Sequence, residues 1–156
     1  VERAARVVGS LGARWMTCHT SGGLTMLRAA VVGLTEGAAN AGMPTPGVLG
    51  VTVLTSDDTA TSAELSARCD LAVDASCGGI ICAAPDLEDT EPWADRLARV
   101  VPGIRLPGGD THDQSRVASP SDALVAGADL LVIGRMVTAA EDPVAAAEEL
   151  VASVLS

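Results

Sequence analysis

Short apolar runs rich in β-branched residues recur along this chain, and a segment with helical spacing follows each of them. The clearest run is VLGVTVLT at residues 48–55, which has the composition of a strand buried on both faces. The other runs lie at residues 14–20, 79–83, 99–104 and 130–134. Because strands that alternate with helices form parallel sheets with right-handed crossovers, the pattern predicts an α/β fold.

The spacing of apolar residues predicts helices at residues 2–11, 21–39, 57–73, 90–99, 119–126 and 142–155. Gly12 can end the first helix in a left-handed conformation. Asp57 or Asp58 is the expected cap of the third helix, and Ser119 or Ser121 that of the fifth, with Pro120 in its first turn. Since no capping residue precedes the first helix, we expect the sequence to begin inside an element.

The chain has 156 residues, which suits a single domain spanning residues 1–156. Five strand–helix units fit either a doubly wound sheet or part of a (βα)8 barrel. A complete barrel takes about 250 residues, so five units are too few to close one.

The composition excludes several classes of function. A net charge of -10 and an aromatic content of 1% argue against a nucleic-acid-binding surface. No apolar run reaches the roughly 18 residues of a membrane span, and no secretory signal is visible. The four cysteines lack metal-ligand spacing, so we interpret them as buried free thiols of a cytoplasmic protein.

Function in parallel α/β folds lies at the C-terminal ends of the strands. The last strand ends at Gly134 and Arg135, where a close backbone approach and a guanidinium fork can bind phosphate. A turn glycine beside a surface arginine explains the same pair equally well. The preceding strand leads into a polar loop at residues 106–116, which is either a lid over a ligand or a mobile insertion. Its Gln114 and Arg116 can both reach phosphate oxygens, although Arg116 can equally be solvated.

Three polar residues at other positions are weaker candidates. Thr55 ends the apolar run at residues 48–55 and can hydrogen-bond a polar ring. His19 ends a strand, where a structural hydrogen bond is a better interpretation than catalysis. Because neither His19 nor His112 has a second ligand at metal spacing, no metal site is predicted.

The strand ends, taken in order, resemble those of the bacterial orotidine 5'-phosphate decarboxylases. The motifs are weak singly but specific in combination, and the resemblance covers the whole sequence. They are His19-Thr20-Ser21-Gly22-Gly23, Val53-Leu54-Thr55-Ser56, Pro102-Gly103-Ile104-Arg105, Asp113-Gln114-Ser115-Arg116, Val132-Ile133-Gly134-Arg135 and the TAAEDP segment at residues 138–143.

The resemblance implies a (βα)8 TIM barrel, of which this sequence would supply strands four to eight. It implies a homodimer that converts orotidine 5'-phosphate to UMP without a metal or an organic cofactor. Thr55 and Pro102 would lie near the pyrimidine.

The same resemblance assigns the phosphate to three residues, Gln114, Gly134 and Arg135. It places Arg105 at the base of the loop that closes over the phosphate. These are the positions that the strand ends themselves indicate as ligand contacts.

One departure from the family is large. The reaction centre of the family is an Asp-x-Lys-x-x-Asp motif on the third strand, whose lysine protonates the carbanion at C6 and of which one aspartate crosses to the partner subunit. This sequence has no such motif and no lysine, because its ten basic residues are all arginine. We therefore predict no catalytic residue in this chain and expect the chain alone to be inactive.

Two alternatives remain at this point. Ketogulonate-phosphate decarboxylases and hexulose-phosphate synthases share the Gly-Arg phosphate site, but they need a divalent metal and lack the loop motif at residues 113–116. The other alternative is a non-catalytic fragment that binds phosphate.

Overall fold

A computed structural model describes residues 1–54, 60–105 and 117–155 of the chain. Within them a single parallel sheet forms, and its strands lie side by side in the order in which they occur in the sequence. The strands are β1 (Trp15–His19), β2 (Gly47–Val51), β3 (Gly79–Ile81), β4 (Ala98–Val101) and β5 (Leu130–Leu131).

Helices connect the strands. They are α1 (Glu2–Ser10), α2 (Gly23–Asn40), α3 (Ser62–Asp74), α4 (Leu87–Thr90), α5 (Pro120–Val125), α6 (Arg135–Thr138) and α7 (Pro143–Leu155), with short 3-10 turns at Thr20–Gly22, Ala84–Asp86 and Glu91–Trp93. Within the described ranges, no helix combines the length and the apolar character needed to cross a membrane.

The sequential strand order distinguishes between the two predicted architectures. A doubly wound sheet reverses its strand order at a switch point, whereas this sheet never reverses. Right-handed crossovers in a sequential sheet place every helix on one face. Val48, Ile80 and Val101 of that face are buried, while Thr17 and His19 of the opposite face are exposed. The sheet is thus a segment of a TIM-barrel-like α/β fold.

The strands are shorter than the apolar runs that predict them. The run at residues 48–55 extends past β2, which ends at Val51. Thr52 follows β2, and both its backbone N–H and its hydroxyl donate to the carbonyl oxygen of Ile81 on the neighbouring strand. The last run likewise overestimates β5, which contains only Leu130 and Leu131.

The helix predicted at residues 90–99 is wrong. The chain forms the short α4 instead, followed by the 3-10 turn at Glu91–Trp93, and β4 begins at Ala98. Pro92 lacks an N–H and cannot continue the hydrogen bonds of α4, while the Thr90 hydroxyl bonds back to Leu87 O.

The capping predictions had mixed outcomes. The cap of α3 is Thr61, whose hydroxyl accepts from Glu64 N at 3.2 Å, and neither Asp57 nor Asp58 begins this helix. Ser119 caps α5 and Pro120 is its first residue, as predicted.

Glycines allow α1 and α2 to pack with their backbones in direct contact. A Cβ added at Gly33 or Gly37 of α2 would overlap the backbone carbonyls of Glu2 or Arg6 on α1, and one at Gly9 would overlap Leu34 O. Ordinary helix pairs are held further apart by side chains, at 8–10 Å. These glycines therefore determine how closely α1 approaches α2.

We predict that Gly37→Ala destabilises the chain by about 1–3 kcal/mol, because the new methyl group overlaps a backbone that cannot move aside. The sign of the change in stability is diagnostic, because a glycine-to-alanine substitution at an exposed helix position stabilises a protein by about 1 kcal/mol. Urea unfolding of Gly37→Ala beside Thr35→Ala, at an exposed position of α2, measures the difference. Equal unfolding midpoints would contradict the close packing.

All four cysteines are free and buried, as the sequence analysis predicted. Burial raises the pKa of Cys69 and Cys82 to about 12 and that of Cys77 to about 11, because a thiolate is poorly solvated in the core. The folded chain therefore binds the proton of each of these thiols more tightly than the unfolded chain does.

These raised pKa values predict a loss of stability in alkaline solution. The contribution is complete below the unfolded thiol pKa of about 8.5 and is lost as the pH rises towards 11–12, at no more than about 1.4 kcal/mol per thiol for each pH unit. Urea midpoints measured from pH 8 to 10.5 should fall, and Cys69→Ala should reduce the slope. A slope unchanged by Cys69→Ala would contradict this account.

Candidate phosphate site

The C-terminal ends of all five strands lie at one edge of the sheet, because every pair is parallel. Pro102 and Arg105 follow β4, and Gly134 and Arg135 follow β5. Thr55, Gln114 and the predicted lid at residues 106–116 lie outside the described residues, so their predicted roles stay predictions.

The pairing of β4 with β5 brings two of the predicted segments together. Val100 pairs with Leu130 and Val101 with Leu131, and Val132 N donates to Val101 O at 2.8 Å. The segments 102–105 and 134–135 therefore leave the same edge from adjacent strands. Of the residues that sequence analysis assigned to one ligand, the two described segments therefore begin on neighbouring strands.

The two sides of the segment 106–116 are tied together at its base. Arg105 N donates to Ala118 O at 2.9 Å, and Ala118 N donates to Gly103 O at 3.3 Å. Gly103 has a φ of 76°, a left-handed conformation that glycine adopts without strain. The Arg105 guanidinium also donates to Ile104 O at 2.7 Å, so Arg105 is anchored where the segment begins.

Gly134 has open space around it among the described residues. A Cβ built on Gly134 would meet no atom of these residues within 4 Å, so crowding by them does not account for a glycine here. The residue immediately precedes α6, and its carbonyl accepts from Val137 N and Thr138 N at 3.0 and 3.1 Å. Backbone amides in the first turn of a helix point outwards and attract anions, and the guanidinium of Arg135 adds a charged fork.

His19 ends β1 on the open face of the sheet, in register with Val51. Its side chain is exposed and makes no hydrogen bond within the part of the chain that the structure describes, so the predicted structural hydrogen bond stays a prediction. Among the same residues, no group of three His, Cys, Asp or Glu side chains forms a potential metal site.

Arg99 is a buried arginine at the opposite edge of the sheet. Its guanidinium contacts Glu91 at 2.7 Å and Asp129 at 3.7 Å, and its backbone N–H donates to Asp129 Oδ2. This charge is compensated locally, near the N-terminal end of β4. We therefore assign Arg99 a structural role.

Sequence reasoning missed two buried threonines at the strand ends. The Thr20 hydroxyl donates to Val51 O and the Thr52 hydroxyl to Ile81 O, both at 2.8 Å. Both residues are buried. Their signal in the sequence is a threonine at or just beyond a strand end, which also fits an ordinary β-branched strand residue.

Comparisons with known proteins agree with this architecture. The model of the Orotidine 5'-phosphate decarboxylase / HUMPS family matches residues 1–150. Orotidine 5'-phosphate decarboxylase of Lactiplantibacillus plantarum is 39% identical, with 96% of this chain and 68% of that protein covered. The enzyme of the same name from Paramagnetospirillum magneticum is 38% identical, with 99% and 70% covered. The chain thus spans about two thirds of the length of these relatives.

Solved structures show the same fold. The crystal structure of orotidine 5'-phosphate decarboxylase from Lactobacillus acidophilus matches with a TM-score of 0.82 at 28% identity, covering 99% of this chain and 69% of that one. The orotidine 5'-monophosphate decarboxylase of Sulfolobus solfataricus, at 23% identity, matches in fold with a TM-score of 0.68 over 96% of this chain and 65% of that one. From its sequence and its fold, the chain belongs to the orotidine 5'-phosphate decarboxylase / HUMPS family.

Proposed function

We propose that this chain forms the phosphate- and pyrimidine-binding side of an orotidine 5'-phosphate decarboxylase. That enzyme converts orotidine 5'-phosphate to UMP and CO2 in pyrimidine synthesis. The observation that carries the proposal is the β4–β5 pair, which places residues 102–105 beside residues 134–135 at the functional edge of the sheet. The names of the two relatives above support the substrate.

In this proposal the phosphate is held at the end of β5. The backbone of Gly134 allows a phosphate oxygen to approach closely, and Arg135 supplies a bidentate charged contact. Gln114 adds an amide donor from the segment that Arg105 anchors. Energy from phosphate binding would close this segment over the ligand and favour the reacting geometry.

The pyrimidine would lie further along the same edge, near Thr55 and Pro102. The carbanion left at C6 by the departing CO2 needs a proton, which the family's lysine supplies. Since this sequence has no lysine, that group would have to come from polypeptide outside residues 1–156. The role of this chain is therefore to bind and orient the nucleotide.

The family description names HUMPS beside the decarboxylase. The alternative is therefore the phosphosugar chemistry of the ketogulonate-phosphate decarboxylases and hexulose-phosphate synthases. The names of the two relatives favour the pyrimidine nucleotide. A comparison of affinities for UMP and for ribulose 5-phosphate separates the two, because only a nucleotide site gains from the base.

The proposal includes a homodimer in the cytoplasm. The resemblance supports the dimer, since one aspartate of the family's reaction centre crosses between subunits. The four buried free thiols accord with a reducing compartment.

We predict that Arg135→Ala raises the dissociation constant of UMP by roughly 10- to 100-fold, because a charge-assisted contact contributes about 1.5–3 kcal/mol. Isothermal titration calorimetry provides the measurement. The matched control is Arg96→Ala, which removes the same charge from an exposed residue just before β4, at the opposite edge of the sheet. Equal affinities for wild type and Arg135→Ala would refute the phosphate assignment.

We also predict that the chain binds UMP but does not decarboxylate orotidine 5'-phosphate, because no lysine is present to protonate C6. The absorbance change that accompanies decarboxylation measures turnover directly. Turnover by the purified 156-residue chain would show that another group supplies the proton.

A further inference from the structure

Two buried hydroxyl groups link the ends of three adjacent strands. Thr20 directly follows β1 and donates to the last carbonyl of β2, that of Val51. Thr52 directly follows β2 and donates to the last carbonyl of β3, that of Ile81. Each strand end is thus fastened to the next by the residue at which the chain leaves the sheet.

The surrounding structure makes room for these links. A Cβ on Gly50 would lie 3.0 Å from the Thr20 methyl group and 3.3 Å from Ala72 Cβ, so the glycine admits the Thr20 side chain beneath α3. Thr20 is 0% exposed and Thr52 is 7% exposed. Hydrogen bonds shielded from water in this way resist exchange with solvent and hold their geometry.

Thr52 makes two bonds to one acceptor. Its backbone N–H donates to Ile81 O at 3.2 Å, and its hydroxyl donates to the same oxygen at 2.8 Å. The N–H bond continues the parallel ladder, while the hydroxyl bond holds the residue as the chain turns out of the sheet. The direction in which Val53 and Leu54 leave β2 therefore depends on this side chain.

We propose that Thr20 and Thr52 are positioning residues that fix the pyrimidine side of the site. The inference rests on the proposed function, in which the phosphate occupies the end of β5. The linked ends of β1, β2 and β3 form the rest of the same edge, where the pyrimidine ring of the ligand would lie. The two threonines act through the backbone and touch no ligand themselves.

The test is a comparison of two ligands, UMP and ribose 5-phosphate, which share the phosphate but differ in the base. In Thr52→Val the shape of the side chain is kept and the hydroxyl is lost. We expect the UMP affinity to fall about tenfold, with the affinity for ribose 5-phosphate unchanged within about twofold. Thr52→Ser, which restores the hydroxyl, should recover most of the UMP affinity.

The matched control is Thr90→Val. Thr90 is also 0% exposed, but its hydroxyl donates to Leu87 O within α4, its side chain bonds the Cys82 thiol, and it joins no two strands. Its loss should leave both affinities unchanged. Thr20→Val, a second variant of the proposed pair, keeps the test decisive if Thr52→Val does not fold.

The outcomes separate this inference from the proposed function. A wild-type chain that binds neither ligand would refute the proposed function. A wild-type chain that binds both, with an unchanged UMP affinity in Thr52→Val and Thr20→Val, would overturn the inference alone. Equal losses for UMP and ribose 5-phosphate, or an equal loss in Thr90→Val, would also overturn it, because general destabilisation then explains the result.

Discussion

The parallel pairing of β4 with β5 holds together the two short segments on which the proposed phosphate site depends. β5 contains only Leu130 and Leu131, and the hydrogen bond from Val132 N to Val101 O extends its attachment by one residue. Gly134 and Arg135 follow at once. Backbone hydrogen bonds between two strands therefore decide where the proposed anion site lies.

The two faces of the sheet differ in burial. Right-handed crossovers place the helices that connect the described strands on one face, where Val48, Ile80 and Val101 form part of the core. The opposite face carries Thr17 and His19 and is open at β1. In a closed (βα)8 barrel this is the face that lines the interior, and its C-terminal edge carries the chemistry. The buried hydroxyls of the strand ends sit at that edge.

Much of the fold could be predicted from the sequence, because the spacing of apolar residues and the local composition determine its helices and strands. Apolar β-branched runs located all five strands, and α1, α2 and α7 had clear helical spacing. The boundaries could not be predicted where tertiary contacts decide them. The composition of the run makes Thr52 a good strand residue, yet β2 ends at Val51, and the Thr52 hydroxyl bonds to the adjacent strand.

The candidate site was predictable to a different degree. The order of motifs placed Pro102, Arg105, Gly134 and Arg135 at strand ends, where the structure has them. Thr20 and Thr52 were missed because a buried hydroxyl bond to a neighbouring strand depends on the register of that strand. Likewise, the close contact of α1 with α2 through Gly33 could not be inferred from one sequence, since it depends on how two helices cross.

The central claim is that the ends of β4 and β5 bind the phosphate of a pyrimidine nucleotide. Titration of the isotope-labelled chain with UMP, followed by amide NMR shifts, tests it most directly. The account predicts the largest shifts at Gly103, Gly134 and Arg135, with little change at Gly47 and Gly78 near the opposite edge. Shifts concentrated at the opposite edge, or no shifts at saturating UMP, would contradict it.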